Sequence, residues 1–363
     1  MKAGISRTWP GHARSSPDAQ RPGMSRRPGP DGNTRPLRRH RAVTGFAASG
    51  KPGAIMEISF PPAPSEPSAP EEIYKGGWLH SPAFDVLEPV QQTAPAVFAS
   101  PHSGSDYPPE FVEASRLDPL ALRKSEDSFV DELFASAPAM GAPLLRARFP
   151  RAFLDANREP FELDPRMFAD PLPAYVNTRS PRVAAGLGTI ARVVSSGADI
   201  YRRKLRFDDA LHRVNACYRP YHTALAGLVE RTLAQFGFCL LIDCHSMPSV
   251  GGPADADSGR RRVDIVLGDC HGTSCDRRLT ELARRTLGQR GYVVRRNVPY
   301  AGAYTTRHYG APQRGVHALQ IEINRALYMD EASLHKTPGF AALAGDLAAL
   351  IGELTRAPMA AAA

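Results

Sequence analysis

Short apolar runs recur along the chain at 96–100, 143–149, 152–156, 238–243, 263–268, 291–296 and 317–323. Their length and their β-branched and aromatic content predict strands. Between them the apolar positions change to helical spacing. Leu120, Leu122, Phe129, Leu133 and Phe134 predict a helix over 117–137. Residues 198–235 predict a long helical region that Pro220 kinks or breaks, because proline lacks an amide donor and crowds the preceding turn. Residues 275–289 read as an amphipathic helix ending before Gly291, and 338–355 as a last helix rich in Ala and Leu. Strands alternating with helices predict an α/β fold, a single domain with a central mixed, largely parallel sheet flanked by helices. There is no internal repeat and no linker after residue 75, so 76–358 is expected to be one catalytic domain.

Composition changes the picture at the N-terminus. The chain of 363 residues carries a net charge of +8. Residues 1–55 hold nine Arg and two Lys against two Asp, so the remainder is close to neutral. Residues 1–75 are rich in Pro, Gly, Ser and Arg and have almost no apolar periodicity, which predicts a disordered extension that cannot repay the entropy of ordering. The basic part also reads as a targeting peptide or as sequence ahead of a start at Met56. A near-neutral remainder argues against nucleic acid as the main partner, and no apolar run is long enough to predict a membrane span. Five cysteines with no CxxC pair, and no secretory apolar region, predict reduced thiols and a cytoplasmic setting.

The chemistry is concentrated in four strings. VFASPHSG (97–104) and LLIDCHSMP (240–248) are apolar runs that each deliver a histidine, His102 and His245, at a strand end. Two histidines held at the same edge of a sheet suit a catalytic metal, which needs a few rigid ligands and one open position. Asp243 lies two residues before His245, so it shares that face and is a candidate to orient the imidazole; Ser246 is a candidate for the same surround. A carboxylate is expected to complete the ligand set, from Asp106, Glu126, Asp127 or Asp131. FLDANREP (153–160) offers Asn157 and Arg158, and the planar fork of an arginine is suited to clamp a carboxylate. In VHALQIEIN (316–324) Glu322 sits between Ile321 and Ile323, where partial desolvation would raise its pKa and fit it for general-base work. Structural readings stand beside these: a capped strand end for His245, a charged turn for Arg158 and an ion pair to Arg325 for Glu322. Residues 298–310, with Tyr304 and Arg307, read as a substrate-covering loop or a structural turn, and Arg179 and Arg307 are candidates for a second carboxylate clamp.

Taken together, PHSG, SEDSFVDELF, FLDANREP, DCHSMPS, VDIVLGDCHGTSC and GVHALQIEINRALY, in that order over roughly 90–350, resemble the N-formylglutamate amidohydrolase family. The resemblance implies a fold related to the zinc carboxypeptidases and exopeptidases. It implies zinc, or another divalent metal, on His102 and His245, a substrate carboxylate on Asn157 and Arg158, and Glu322 as general base. Carboxypeptidases carry a carboxylate ligand three residues after the first histidine. Here that position is Ser105, which moves the expectation to Asp127. The implied reaction is hydrolysis of the small dicarboxylate N-formyl-L-glutamate to formate and L-glutamate. The alternative within the class is deacylation of another N-acyl amino acid or a small peptide.

Overall fold

The computed structural model describes residues 82–357 apart from Ala254. The expectations for residues 1–75, the Met56 start included, lie outside the described residues. Seven strands form the central sheet: β1 (Phe84–Leu87), β2 (Ala96–Ser100), β3 (Leu144–Ala147), β4 (Cys239–Met247), β5 (Ile265–Gly268), β6 (Val294–Arg296) and β7 (Val316–Asn324). Their spatial order is β1-β3-β2-β4-β7-β5-β6. The pairings β3–β2, β2–β4, β4–β7 and β5–β6 are parallel, while β1–β3 and β7–β5 are antiparallel. The sheet is therefore mixed and largely parallel, as the alternation of strands and helices predicts.

Helices cover both faces. They are α1 (Pro109–Ala114), α2 (Pro119–Arg123), α3 (Val130–Leu133), α4 (Pro181–Ala184), α5 (Phe207–Arg213), α6 (Arg219–Phe236), α7 (Arg277–Gln289), α8 (Tyr304–Tyr309) and α9 (Gly339–Thr355). Because strand side chains alternate between faces, the sheet feeds two separate cores. Val97, Ala99, Leu241 and Ala318 pack with Leu225 and Val229 of α6. Phe98, Ile242, Ile321 and Ile323 pack with Leu279 and Leu287 of α7 and with Leu347 and Ile351 of α9. Both β4 and β7 are buried along their full length, which is why they read as nearly unbroken apolar runs. Among the described residues no helix is long and apolar enough to cross a membrane.

Three local expectations are corrected. Residues 152–156 form a turn, in which Phe153 and Leu154 both donate backbone hydrogen bonds to Pro150 O. Their apolar side chains enter the α6-side core without joining the sheet. The helix expected over 117–137 is two short helices, α2 and α3, separated by a turn in which Phe129 adopts φ +67°. The long helical region starts at Phe207, and Pro220 does not stop it. The helix widens to a π turn over Val214–Tyr218 just ahead of the proline, so the missing amide falls where the ladder is already re-registered.

Candidate metal centre and substrate cavity

The C-terminal ends of the adjacent parallel strands β3, β2, β4 and β7 converge, the position where open α/β sheets place their sites. The α6-facing sides of β4 and β7 change character along the strand. Leu241 is followed on its face by Asp243 and His245, and Ala318 by Gln320 and Glu322. The opposite face stays apolar through Cys244, Ile321 and Ile323. In the parallel ladder His245 stands directly beside Glu322. His102 follows β2, Asp127 lies in the turn between α2 and α3, and Asp155, Asn157 and Arg158 lie in the turn after β3.

His102, Asp127 and His245 form a buried group whose ligating atoms all lie within 4.8 Å of one another. Asp127 Oδ2 is 3.3 Å from His102 Nδ1 and 3.0 Å from His245 Nδ1. A tetrahedral ion with bonds of about 2.0–2.1 Å sets its donors roughly 3.3 Å apart, so these spacings suit a shared cation. The outer nitrogens are engaged elsewhere. His102 Nε2 is 2.7 Å from Asp155 Oδ1, and His245 Nε2 is 2.9 Å from Asp243 Oδ1. Carboxylates behind both imidazoles fix the rings with Nδ1 facing inward, the arrangement that backs metal-bound histidines. Among the described residues buried His102 Nδ1 has no hydrogen-bond partner, an orphan that a cation would satisfy. The donor set could therefore hold a metal ion.

Its electrostatics point the same way. Asp127, Asp155, Asp243 and Glu322 are four buried carboxylates around two imidazoles. Burial opposes the charge of Asp127, but the imidazoles of His102 and His245 beside it hold its carboxyl well below the usual range. Burial likewise opposes a proton on His245, but Asp243 and Asp127 outweigh it and raise its basicity. Burial pushes the Glu322 carboxyl up to about 7, with Asp127 adding to the rise while His245 opposes it. Glu322 Oε1 accepts a 2.6 Å bond from Gln320 Nε2.

The other carboxylates considered for this role are engaged away from the centre. Glu126 accepts from Tyr107, Arg123 and Ser128, Asp131 from Arg146, and Asp106 from Arg148. Asp127 is held by Arg325, whose Nη2 donates to Oδ1 at 2.9 Å. Arg325 Nε donates to Ser246 Oγ at 3.2 Å, which links Ser246 to the arginine that holds Asp127.

A cavity of about 390 Å³ opens in front of the group, within the range of small-molecule sites. Its walls include His102, Arg158, His245, Glu322 and residues of the 182–197 segment. Arg158 reaches it with Nε bonded to Leu187 O and Nη1 to Asn157 O; burial brings its pKa down to about 10, against the pull of Asp155. Asn157 also lines the cavity, but its amide is committed. Nδ2 donates to Asp243 Oδ2 at 2.9 Å and lies 2.8 Å from His245 Nε2, and Oδ1 accepts from the Thr305 amide at 2.7 Å. The 298–310 segment contributes Tyr300, Gly302 and Ala303 to the wall. Tyr304, Arg179 and Arg307 are not among the lining residues. Tyr304 is half-buried and stacks on His308 at 4.9 Å, and both arginines are exposed. Arg151, Arg182 and Asp155, none of them singled out from the sequence, do line it. Asp155 sits inside FLDANREP, two residues before Asn157, and that spacing was its one signal. Arg182 comes from α4, a single helical turn too short to show an apolar period.

A buried His–Asp–His group at the strand ends of a mixed α/β sheet, with a raised glutamate at its side, defines a protein equipped to hold a metal beside a group that titrates near neutrality. The chain belongs to the N-formylglutamate amidohydrolase family, whose model matches residues 94–329. It is 29% identical over 250 residues to an N-formylglutamate deformylase of Pseudomonas aeruginosa, covering 68% of this chain and 86% of that one. A deformylase of the same description from Pseudomonas putida is also 29% identical, over 249 residues. The crystal structure of an N-formylglutamate amidohydrolase from Ralstonia eutropha JMP134 superposes with a TM-score of 0.70 at 36% identity, over 75% of this chain and 97% of that one. A gene product of Agrobacterium tumefaciens, 21% identical over 76% of this chain and 95% of that one, shares the fold with a TM-score of 0.55.

Proposed function

We propose that this chain is a metal-dependent amidohydrolase that cleaves the formyl amide of N-formyl-L-glutamate to formate and L-glutamate. The observation that carries the reading is the convergence of His102, Asp127 and His245 beside Glu322, in a chain of this family. Two imidazoles and one carboxylate suit zinc and admit other divalent metals. A bound cation would supply Lewis acidity to the formyl oxygen and to the attacking water.

The chain's own residues do the rest. Asp155 and Asp243 hold the two imidazoles, and Asn157 locks His245 and Asp243 together. Arg325 steadies Asp127 and is itself held by Ser246. Arg158 holds the carboxylate next to the scissile amide and so fixes the formyl carbon in front of Glu322. Ionised Glu322 takes a proton from water as the water oxygen attacks the formyl carbon. It returns that proton to the nitrogen as the C–N bond breaks, and the remaining proton of the attacking water passes from formic acid to the amine, leaving formate and the ammonium form of L-glutamate. A glutamate with a pKa near 7 can both accept and release that proton.

The test is turnover of N-formyl-L-glutamate by the full chain, with metal content measured before and after chelation. Formate release that disappears with chelation and returns with zinc is expected. Bound metal without formate release would remove the substrate assignment, and failure to take up any metal would remove the mechanism.

A further inference from the structure

Five arginines line the cavity, and four of them have partners. Arg325 is bonded to Asp127 and Arg192 to Asp164 and Asp199. Arg151 Nε donates to Asp155 Oδ2 at 3.1 Å. Arg158 donates to two backbone carbonyls and has Asp155 3.6 Å from Nη2. The Arg182 guanidinium makes no hydrogen bond and no ion pair among the described residues. It is half-buried on α4, with Arg307 and Arg151 as cationic neighbours. The two carboxylates within its electrostatic reach are engaged elsewhere: Glu162 accepts from Ser180 Oγ, and Asp155 from Arg151 and His102. Burial and Arg307 disfavour its charge, and Glu162 and Asp155 favour it without pairing with it, so the fold leaves this guanidinium with no direct partner among the described residues.

The backbone beneath it is rigid. Ser180 Oγ accepts from the Val183 amide, and the Leu187 amide donates to Arg182 O at 2.8 Å. A Cβ on Gly188 would meet Glu162 O at 2.0 Å, so the turn is pressed against the chain below it. The same turn carries the carbonyl of Leu187 that receives Arg158 Nε. One short turn thus links two guanidiniums and directs both to one cavity.

We infer that Arg182 is a specificity-determining residue, pairing with a second carboxylate on the substrate while Arg158 holds the first. The inference rests on the amidohydrolase reading above and makes the cavity selective for N-acyl amino acids with an acidic side chain. The planar fork of Arg182 offers two parallel donors to such a carboxylate, and a neutral amide of the same shape leaves the cation unpaired.

The test compares N-formyl-L-glutamate with the isosteric N-formyl-L-glutamine in the full-length protein and in its Arg182→Gln and Arg182→Lys variants. In Arg182→Gln, kcat/KM for the glutamate substrate is expected to fall roughly 10- to 100-fold, through KM, while the glutamine substrate changes by less than about 3-fold. Arg182→Lys should keep part of the preference, since it retains the charge without the fork. Activity toward the glutamine substrate serves as the control for folding. Equal losses on both substrates, or no loss on either, would overturn the assignment. Binding measured by calorimetry reads the same residue without turnover. Glutarate should bind the wild-type protein more tightly than butyrate, and Arg182→Gln should abolish the difference. If no formyl amide is hydrolysed yet glutarate binding depends on Arg182, the substrate reading falls and the role of Arg182 stands. If glutarate binds no better than butyrate, the role of Arg182 falls too.

Discussion

Glu322 owes its raised pKa to burial at a strand position between two isoleucines, and the chemistry asked of it requires the ionised form. The acid limb of kcat/KM should therefore belong to this residue: activity rises with pH through the limb and then levels off. A cation beside it favours the carboxylate, so the limb in the metal-loaded protein should lie below about 7. Glu322→Gln should keep its metal and lose about 10²- to 10⁴-fold in kcat, the usual worth of a general base. Steady-state kinetics over pH, with metal content measured on both proteins, checks both statements. Near-wild-type turnover in the variant would remove Glu322 from the mechanism. The placements of His102, His245 and Glu322 are legible in the sequence because each interrupts or ends an apolar run, where a polar side chain is out of place unless something polar faces it. Arg179 and Arg307 look just as suitable on paper, since an arginine in a loop or in a helix of one or two turns carries no periodic signal of which way it faces. Arg182 is hidden for the same reason.

Among the elements, β4 and β7 are the most readable, because their apolar stretches match full burial and their polar residues fall on one face. The turn after β3 is the least readable. Phe153 and Leu154 satisfy a strand pattern, yet their side chains serve the core while the backbone turns at Pro150. The break between α2 and α3 is equally hidden, although it is what carries Asp127 to the histidines. Helix α6 supports the turn after β3 through His222, whose Nε2 lies 2.8 Å from Ala156 O while Nδ1 lies 2.9 Å from Tyr309 Oη. Burial lowers the His222 pKa to about 4, against the pull of its bond to Ala156. The unfolded chain, with an ordinary histidine near 6.5, then binds more protons than the folded one between those values. Its contribution to stability is complete above pH 6.5 and is lost as the pH falls toward 4, by up to about 3 kcal/mol. Urea unfolding at several pH values should show a steeper acid loss for the wild-type protein than for His222→Gln. Parallel slopes would mean that the imidazole does not stay neutral in the fold.

For the whole molecule, the candidate centre ties three segments, around His102, Asp127 and His245, and a cation there binds the folded chain alone. Metal at about 100 times its Kd should add roughly 2.7 kcal/mol to stability. Scanning calorimetry with zinc and with a chelator should therefore show a clear drop in Tm on chelation, and the drop should vanish in His102→Ala. An unchanged Tm on chelation in the wild-type protein would argue against a cation at this group. The class of fold is legible at this scale, since strands alternate with helices over most of the chain. The strand order is not, because it depends on pairings between segments far apart.

That order has a consequence for how the protein comes into being on the ribosome. β7 is the last strand of the sheet to be synthesised, yet it lies between β4 and β5, pairing with β4 along its whole length and with β5 through Gln320 to Ile323. β5 and β6 have no neighbour in the finished sheet except through it. The emerging chain cannot lay down its strands one after another at a growing edge; the half made of β1 to β4 and the β5–β6 pair must wait for the strand that joins them. Since that strand also carries Glu322, a nascent chain gains the glutamate proposed as its general base in the same step that closes its sheet.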